Sequence, residues 1–308
     1  MRLRLQPGLV ALAVVGLCLA VLSAFYFTHA HRLVTPEAMI ACLPPREAAV
    51  VYVDVGALRR SGILYLLAGS KATEELEYKN FVEATEFDYR RDLDSVAAAF
   101  APDGTFLVVK GRFNWKRLSN YTIAGGGRCM NGLCQATGSG PDKRISFYLL
   151  KPDTLALAVS PDSFAAGDIS VRRKQPVDPL PREPIWISVP AAVLKAARDL
   201  PAGTHSYATA LSSAEKIVFA AGPENGRLEV QMKVTCASPE TASAMALQLE
   251  NVTDLLRKMI EREHQVPNPK DLAGVLTAGT FQPEGRMVLG HWFVERAFID
   301  TLAGGSLN

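Results

Sequence analysis

The chain has 308 residues, with 33 Lys+Arg against 31 Asp+Glu, a formal net charge of +2, and 48% hydrophobic residues. That hydrophobic content is enough to bury a core and excludes a disordered tether. Residues 1–32 hold Arg2, Arg4 and Arg32 and no acid, so the rest of the chain nets −1, which excludes an electrostatic footprint for nucleic acid or a polyanionic surface.

Residues 9–27 form the only long apolar run, uninterrupted by charge. At 1.5 Å per helical residue this run reaches across roughly 30 Å of hydrocarbon, so a transmembrane helix is expected over 9–27, after a cytoplasmic N-terminus over 1–8. Arg2 and Arg4 favour an inside N-terminus, and Phe25, Tyr26 and Phe27 sit where an outer aromatic belt belongs. The expected location is the inner (cytoplasmic) membrane, single-pass, with the bulk of the chain extracytoplasmic. The alternative is a signal peptide cleaved near Ala30, giving a secreted or periplasmic product. Thr28-His29-Ala30 offers small residues at the two positions a signal peptidase inspects, but the apolar run exceeds the usual signal core of about 7–15 residues. Bulky Leu17 directly before Cys18 makes a poor lipidation signal.

Residues 28–47 read as a stalk, followed by a first ectodomain repeat over 48–170. It opens with a strand over 49–55 and a helix over 57–67 carrying Leu58, Leu64 and Leu67 inward. A second helix, over 73–87, has Tyr78, Phe81, Val82 and Thr85 at helical spacing. Strands over 96–101 and 106–112 flank the turn Pro102-Asp103-Gly104. Asn114 is placed to cap a short helix with Trp115 and Leu118 on its buried side.

Next comes Cys129-Met-Asn-Gly-Leu-Cys134. Asn-Gly favours a two-residue type I′ turn, because both central residues need positive φ. Cys129 and Cys134 then form a non-hydrogen-bonded pair with Cα atoms about 4.5 Å apart, at the short end of what a disulfide accepts. In an oxidising compartment a Cys129–Cys134 bridge is favoured; the alternative is two small apolar residues kept as thiols. Two sulfurs alone do not close a tetrahedral metal site, and the spacing is not that of a redox Cys-x-x-Cys motif. Strands over 145–150 and 155–159, joined through Pro152-Asp153, end the repeat.

Residues 171–184, with Pro176, Pro179, Pro181 and Pro184, read as an extended linker. Beyond it the order recurs in a second repeat over 185–308: a strand over 185–189, a helix over 191–200, and strands over 217–221 and 228–234 around Pro223-Glu224. Ser238-Pro239 opens a long helix to about residue 263, whose Met245, Leu249, Val252, Leu256 and Met259 make one apolar stripe. A hairpin around Pro283-Glu284 and a helix over 294–302 follow. The expected fold class is α+β: an N-terminal transmembrane helix plus two β-α-β-β-α-β-β repeats of split-βαβ kind, with antiparallel sheets covered by helices on one face.

The apolar N-terminal run, the stalk sequence Leu-Pro-Pro-Arg-Glu at 43–47, the strand at 50–55 and the repeated module resemble uncharacterised single-pass, membrane-anchored bacterial envelope proteins of soil-dwelling species. The likeness is one of layout. It implies an envelope-facing location and carries over no activity and no functional residue.

Motifs for chemistry are sparse. His29 and His31 are juxtamembrane, His205 and His264 fall in expected loops, and His291 sits where a strand gives way to the last helix. No Gly-x-Ser-x-Gly elbow exists, and Gly138-Ser139-Gly140 reads as a loop. The glycines at 125–127 follow a helix instead of opening one, the wrong end for binding phosphate. Asp54 ends a strand, where a helix cap is the simplest role. No catalytic residue, metal ligand or cofactor is assigned. The expected function is a membrane-anchored extracytoplasmic binding or interaction module, with the membrane, an envelope protein or a second copy as partner and no nucleic acid. The alternatives are an envelope hydrolase with a site shared between the repeats around Asp54, His205 and His291, and a structural spacer acting through dimerisation.

Overall fold

The computed structural model describes residues 35–44, 48–67, 76–140, 143–171, 176–191, 193, 202–224, 227–262 and 266–303. Thr35 apart, these fall in one of the two compact units of the chain, Pro36–Asn308. The expected transmembrane run 9–27, the cleavage position near Ala30 and most of the helix expected over 191–200 lie outside the described residues. Among the described residues no helix is long and apolar enough to cross a membrane.

The fold is α+β, built on one antiparallel sheet. Its strands are β1 (Ala49–Asp54), β2 (Leu93–Ala101), β3 (Gly104–Gly111), β4 (Arg128–Met130), β5 (Leu133–Gly140), β6 (Lys143–Lys151), β7 (Thr154–Ser160), β8 (Ile185–Pro190), β9 (Lys216–Glu224), β10 (Arg227–Thr235), β11 (Thr280–Glu284) and β12 (Met287–Val294). They lie in the order β11-β12-β10-β9-β8-β1-β2-β3-β7-β6-β5-β4. The two sheets expected from the sequence are thus a single continuous one. The opening strands β1 and β8 join antiparallel at its centre, with Tyr52 directly opposite Trp186 and the two rings stacked at 5.7 Å. Outward from this seam the order is β1-β2-β3-β7-β6 on one side and β8-β9-β10-β12-β11 on the other; β5 and β4 extend the first side.

Eleven helices are described: α1 (Pro36–Ile40), α2 (Val55–Arg60), α3 (Ile63–Leu67), α4 (Leu76–Thr85), α5 (Tyr89–Asp92), α6 (Trp115–Ala124), α7 (Ala165–Val171), α8 (Ala202–Ala210), α9 (Pro239–Arg262), α10 (Leu272–Thr277) and α11 (Arg296–Ala303). The single helix expected over 57–67 is two, because Gly62 at φ +78° ends the first; Leu58 and Leu64 are buried as expected. Asn114 caps α6 and Ser238 caps α9, each accepting from the N–H three residues on. Gly138–Gly140, read as a loop, continues strand β5. The second closing hairpin turns at Gly285-Arg286, since Pro283 and Glu284 are still paired in β11; Pro152-Asp153, by contrast, is the turn itself. The two Pro-acid dipeptides therefore do not match in position.

Residues paired across antiparallel strands project to one face. One such row runs from Tyr52 through Ala97, Val108 and Ala156 on the first side, and from Trp186 through Ala220 and Gln231 to His291 on the other. On the opposite face of the second side Met232, Val234, Val288 and Trp292 pack with α9 residues Ala242, Met245, Ala246 and Leu249 and with Tyr207 of α8. Met259, expected on that stripe, is 53% exposed, and Thr253 is buried in its stead. Its hydroxyl donates to Leu249 O and lies 2.6 Å from the Tyr207 hydroxyl. Under the seam, Val55, Leu58, Ile63 and Leu64 pack against Val53 and Leu93 of the first half and Ile185 and Leu228 of the second.

Candidate functional site

The two sides of the sheet differ on the face that carries the Tyr52–Trp186 pair. On the first side the central residues Ala97, Ala99, Phe106, Val108, Ala156 and Ala158 are all buried, while Lys110, Gln135 and Arg144 lie on the same face around them. Here α7 closes over the sheet, with Ala166 N–H donating to Ser146 Oγ, and Met39 of α1 sits against Ser95. On the second side the same face carries Glu229, Gln231 and Lys233 at alternate positions of β10. No helix among those described covers them.

The proline-rich segment runs over this face, with a cavity on either side of it. The smaller, about 240 Å³, lies towards α1 and is lined by Ile40, Leu43, Val50, Trp186 and Ser188. The larger, about 730 Å³, is walled by Pro179, Pro181 and Arg182 and floored by Val218, Leu289 and His291. Asp178, Leu180 and Lys216 border both. Two bonds tie the strap down: Lys216 Nζ donates to Asp178 at 2.8 Å, and Asp54 N–H donates to Pro184 O at 2.7 Å. The Lys216 hydrogen bond and charge hold the Asp178 carboxyl below its ordinary range. Both side chains are largely exposed, so this ion pair is a weak fastening.

Behind His291 of the groove floor, Glu229 is 7% exposed and its carboxylate lies 2.9 Å from His291 Nδ1. Opposite an ionised carboxylate Nδ1 is the donor, and Nε2 is the ring nitrogen that Glu229 does not engage. This is an oriented imidazole beside an amide, Gln231, its direct partner across the ladder. His291 is therefore a mid-strand residue and not the strand-end residue expected. Glu229 was legible only as part of an alternating polar pattern, Glu229-Val-Gln231-Met-Lys233, that marks an uncovered sheet face.

The other residues considered from the sequence do not converge on this site. Asp54 Oδ1 accepts from Ala57 N–H at 2.7 Å and caps α2. Four strand spacings separate β1 from β12, about 19 Å at 4.8 Å each. His205 lies on α8, not in a loop, and that helix packs on the opposite sheet face from His291. Cys129 and Cys134 face each other across the β4–β5 hairpin, with Asn131 and Gly132 both at positive φ, and their sulfurs are bonded at a Cα separation of 4.0 Å. Cys42 and Cys236 are free thiols; burial pushes the Cys236 thiol up, and Glu215 adds to the shift. Among the described residues no cluster of His, Cys, Asp and Glu could hold a metal ion.

A second polar cluster, remote in sequence from the groove, gathers at α5. Asp92, 5% exposed, accepts from Arg91 and from Asp88 N–H and is ion-paired with Arg112. Asp88 caps α5 and accepts from Arg90 and from the Tyr78 hydroxyl. Burial pushes Tyr78 up to about 12, and the hydrogen bond to Asp88 adds to it. Every acceptor here is used inside the cluster, which fastens α4 and α5 to the ends of β2 and β3.

The chain matches no protein family and no curated protein. Its architecture is similar to that of solved structures of TP0453. Crystal form III has a TM-score of 0.50 at 8% identity, covering 87% of this chain and 98% of that one. Crystal form I gives 0.49 at 8% identity, over 86% and 96% of the two chains. Form IV gives 0.48 at 9%, over 87% and 95%. The likeness at such identity is one of fold.

Proposed function

We propose that the protein is a membrane-anchored, extracytoplasmic binding module whose site is the strapped groove on the open face of its second half. The observation that carries this reading is the contrast between the two halves of one face. The first half is closed by α7 and lined with buried alanines, whereas the second holds a groove of about 730 Å³ with Val218 and Leu289 beside Gln231 and His291. An apolar floor with a few fixed polar groups is the composition of a ligand pocket. Its occupant is an envelope component that offers an apolar segment to Val218 and Leu289 and a hydrogen-bonding group to His291 Nε2 and Gln231.

The matching strand order on either side of the β1–β8 seam supports a further reading, that the two halves are copies of one β-α-β-β-α-β-β unit. A pseudo-twofold axis then passes between Tyr52 and Trp186, and β4 and β5 are an addition to the first copy. On this reading only the second copy kept its face open for binding.

A photo-crosslinking residue placed at Leu289 in the full-length protein tests the groove. Capture of an envelope component from intact cells, abolished by filling the groove with Ala220→Trp, is the expected outcome. Capture that is equal from the remote position Lys79, or that survives Ala220→Trp, would remove the groove as the site.

A further inference from the structure

Helix α9 buries one face on the sheet, yet its outward face carries a second regular stripe. Glu240, Ala244 and Leu247 lead to Asn251, and Leu255, Lys258 and Arg262 lead away from it; all seven are exposed. Leu247 is 58% and Leu255 56% exposed. The steps of four and three residues read the same in both directions from Asn251. They keep the stripe on one side of the helix, as in a coiled-coil seam.

We infer that this outward stripe of α9 is a contact between two copies of the chain, packed antiparallel about a twofold axis through Asn251. In that arrangement residue 251 + k of one copy meets 251 − k of the other. Leu247 then meets the partner's Leu255, and Glu240 meets the partner's Arg262, each contact made twice as an isologous interface requires. Ala244 lies under the stem of Lys258, which can cover a methyl group while its charge stays in water. The two Asn251 amides meet on the axis, where each can donate to and accept from the other. A polar residue at the middle of a helix seam fixes register. The opposite orientation has none of this complementarity: parallel packing sets Glu240 on Glu240, Lys258 on Lys258 and Arg262 on Arg262. The charge pattern thus selects a second copy in one direction. A single helix pair buries less than the roughly 1,600 Å² of a standard interface, so a dissociation constant in the micromolar range is expected. The contact involves neither the groove nor the strap, and stands or falls apart from them.

The test uses the full-length protein. Asn251→Cys should form an oxidative dimer above the background of the parent chain. Ser243→Cys, exposed on the same helix, should not, because its two copies lie about 24 Å apart along the axis. Sedimentation should show Glu240→Arg and Arg262→Glu each raising the dissociation constant about tenfold, since two attractive pairs become repulsive. An equimolar mixture of the two variants should regain parental affinity as a heterodimer, which misfolding cannot imitate. A chain that stays monomeric at every concentration, a dimer indifferent to both reversals, or cross-linking at Ser243→Cys instead of Asn251→Cys would overturn the proposal.

Discussion

Asp92 shows how a buried charge is tolerated in this fold. Burial pushes the carboxyls of Asp88 and Asp92 up, but Arg90 and Arg91, with backbone N–H groups and the further charge of Arg112, outweigh it and hold both below the ordinary value of 3.8. A carboxyl depressed in the folded state stabilises the fold above its unfolded pKa and loses that contribution as pH falls through the folded value. The melting temperature should therefore be flat above about pH 5 and decline below about pH 4, and Asp92→Asn should shrink that decline. Thermal melts between pH 7 and 3 measure it; an unchanged acid limb in the variant would exclude the cluster as its source. At pH 7 Asp92→Asn is expected to lose about 1.5–3 kcal/mol, the range for a hydrogen bond to a charged group. The Cys129–Cys134 bridge has a smaller structural reach. It closes so short a loop that reduction should cost about 2 kcal/mol. Both thiols should resist alkylation in protein from an oxidising compartment until reductant is added, and equal labelling without reductant would remove the bridge.

At the scale of elements, α9 presents two leucines two residues apart with opposite fates. Leu249 is fully buried against the sheet while Leu247 is exposed. Leu249→Ala should cost about 2–5 kcal/mol as a core cavity, and Leu247→Ala should change stability by less than about 0.5 kcal/mol in the monomer. Denaturant titration of both variants separates them; equal losses would mean that the helix is seated differently. The buried stripe was legible because helical spacing of Met245 and Leu249 marks a face whatever it packs against. Its end was not, since Met259 belongs to the same spacing but is exposed. Strands were legible where turn residues bounded them, as at Asp103-Gly104 and Asn131-Gly132. The short helices α7 and α10 were missed: Ala165–Val171 and Leu272–Thr277 each span two turns or fewer, too few for periodicity to register. The groove was half legible. Polar alternation in β10 signals an open face, but the pairing of Glu229 with His291 depends on strands that are distant in sequence and adjacent only in the sheet.

The largest feature absent from the sequence pattern is the seam. Backbone pairing between β1 and β8 leaves no trace in residue types, so two separate sheets were the natural expectation for two similar segments. In the structure the seam is reinforced on both faces. Tyr52 stacks on Trp186, which is 3% exposed, and below them α2 and α3 are buried against residues of both halves, Val53 and Leu93 with Ile185 and Leu228. Neither half can leave without exposing that shared cluster and two unpaired strand edges. The described unit should therefore unfold as one cooperative whole, in contrast to domains joined only by a linker. Trp186→Ala removes the larger ring of the stacked pair and should cost about 3–5 kcal/mol. If the halves are coupled as the shared cluster requires, the variant melts earlier but still in a single transition, with calorimetric and van't Hoff enthalpies equal. Two resolved transitions in the parent protein would show that the halves hold together only weakly. The shared cluster beneath the seam would then contribute little, and the proline-rich strap would be a linker between independent domains.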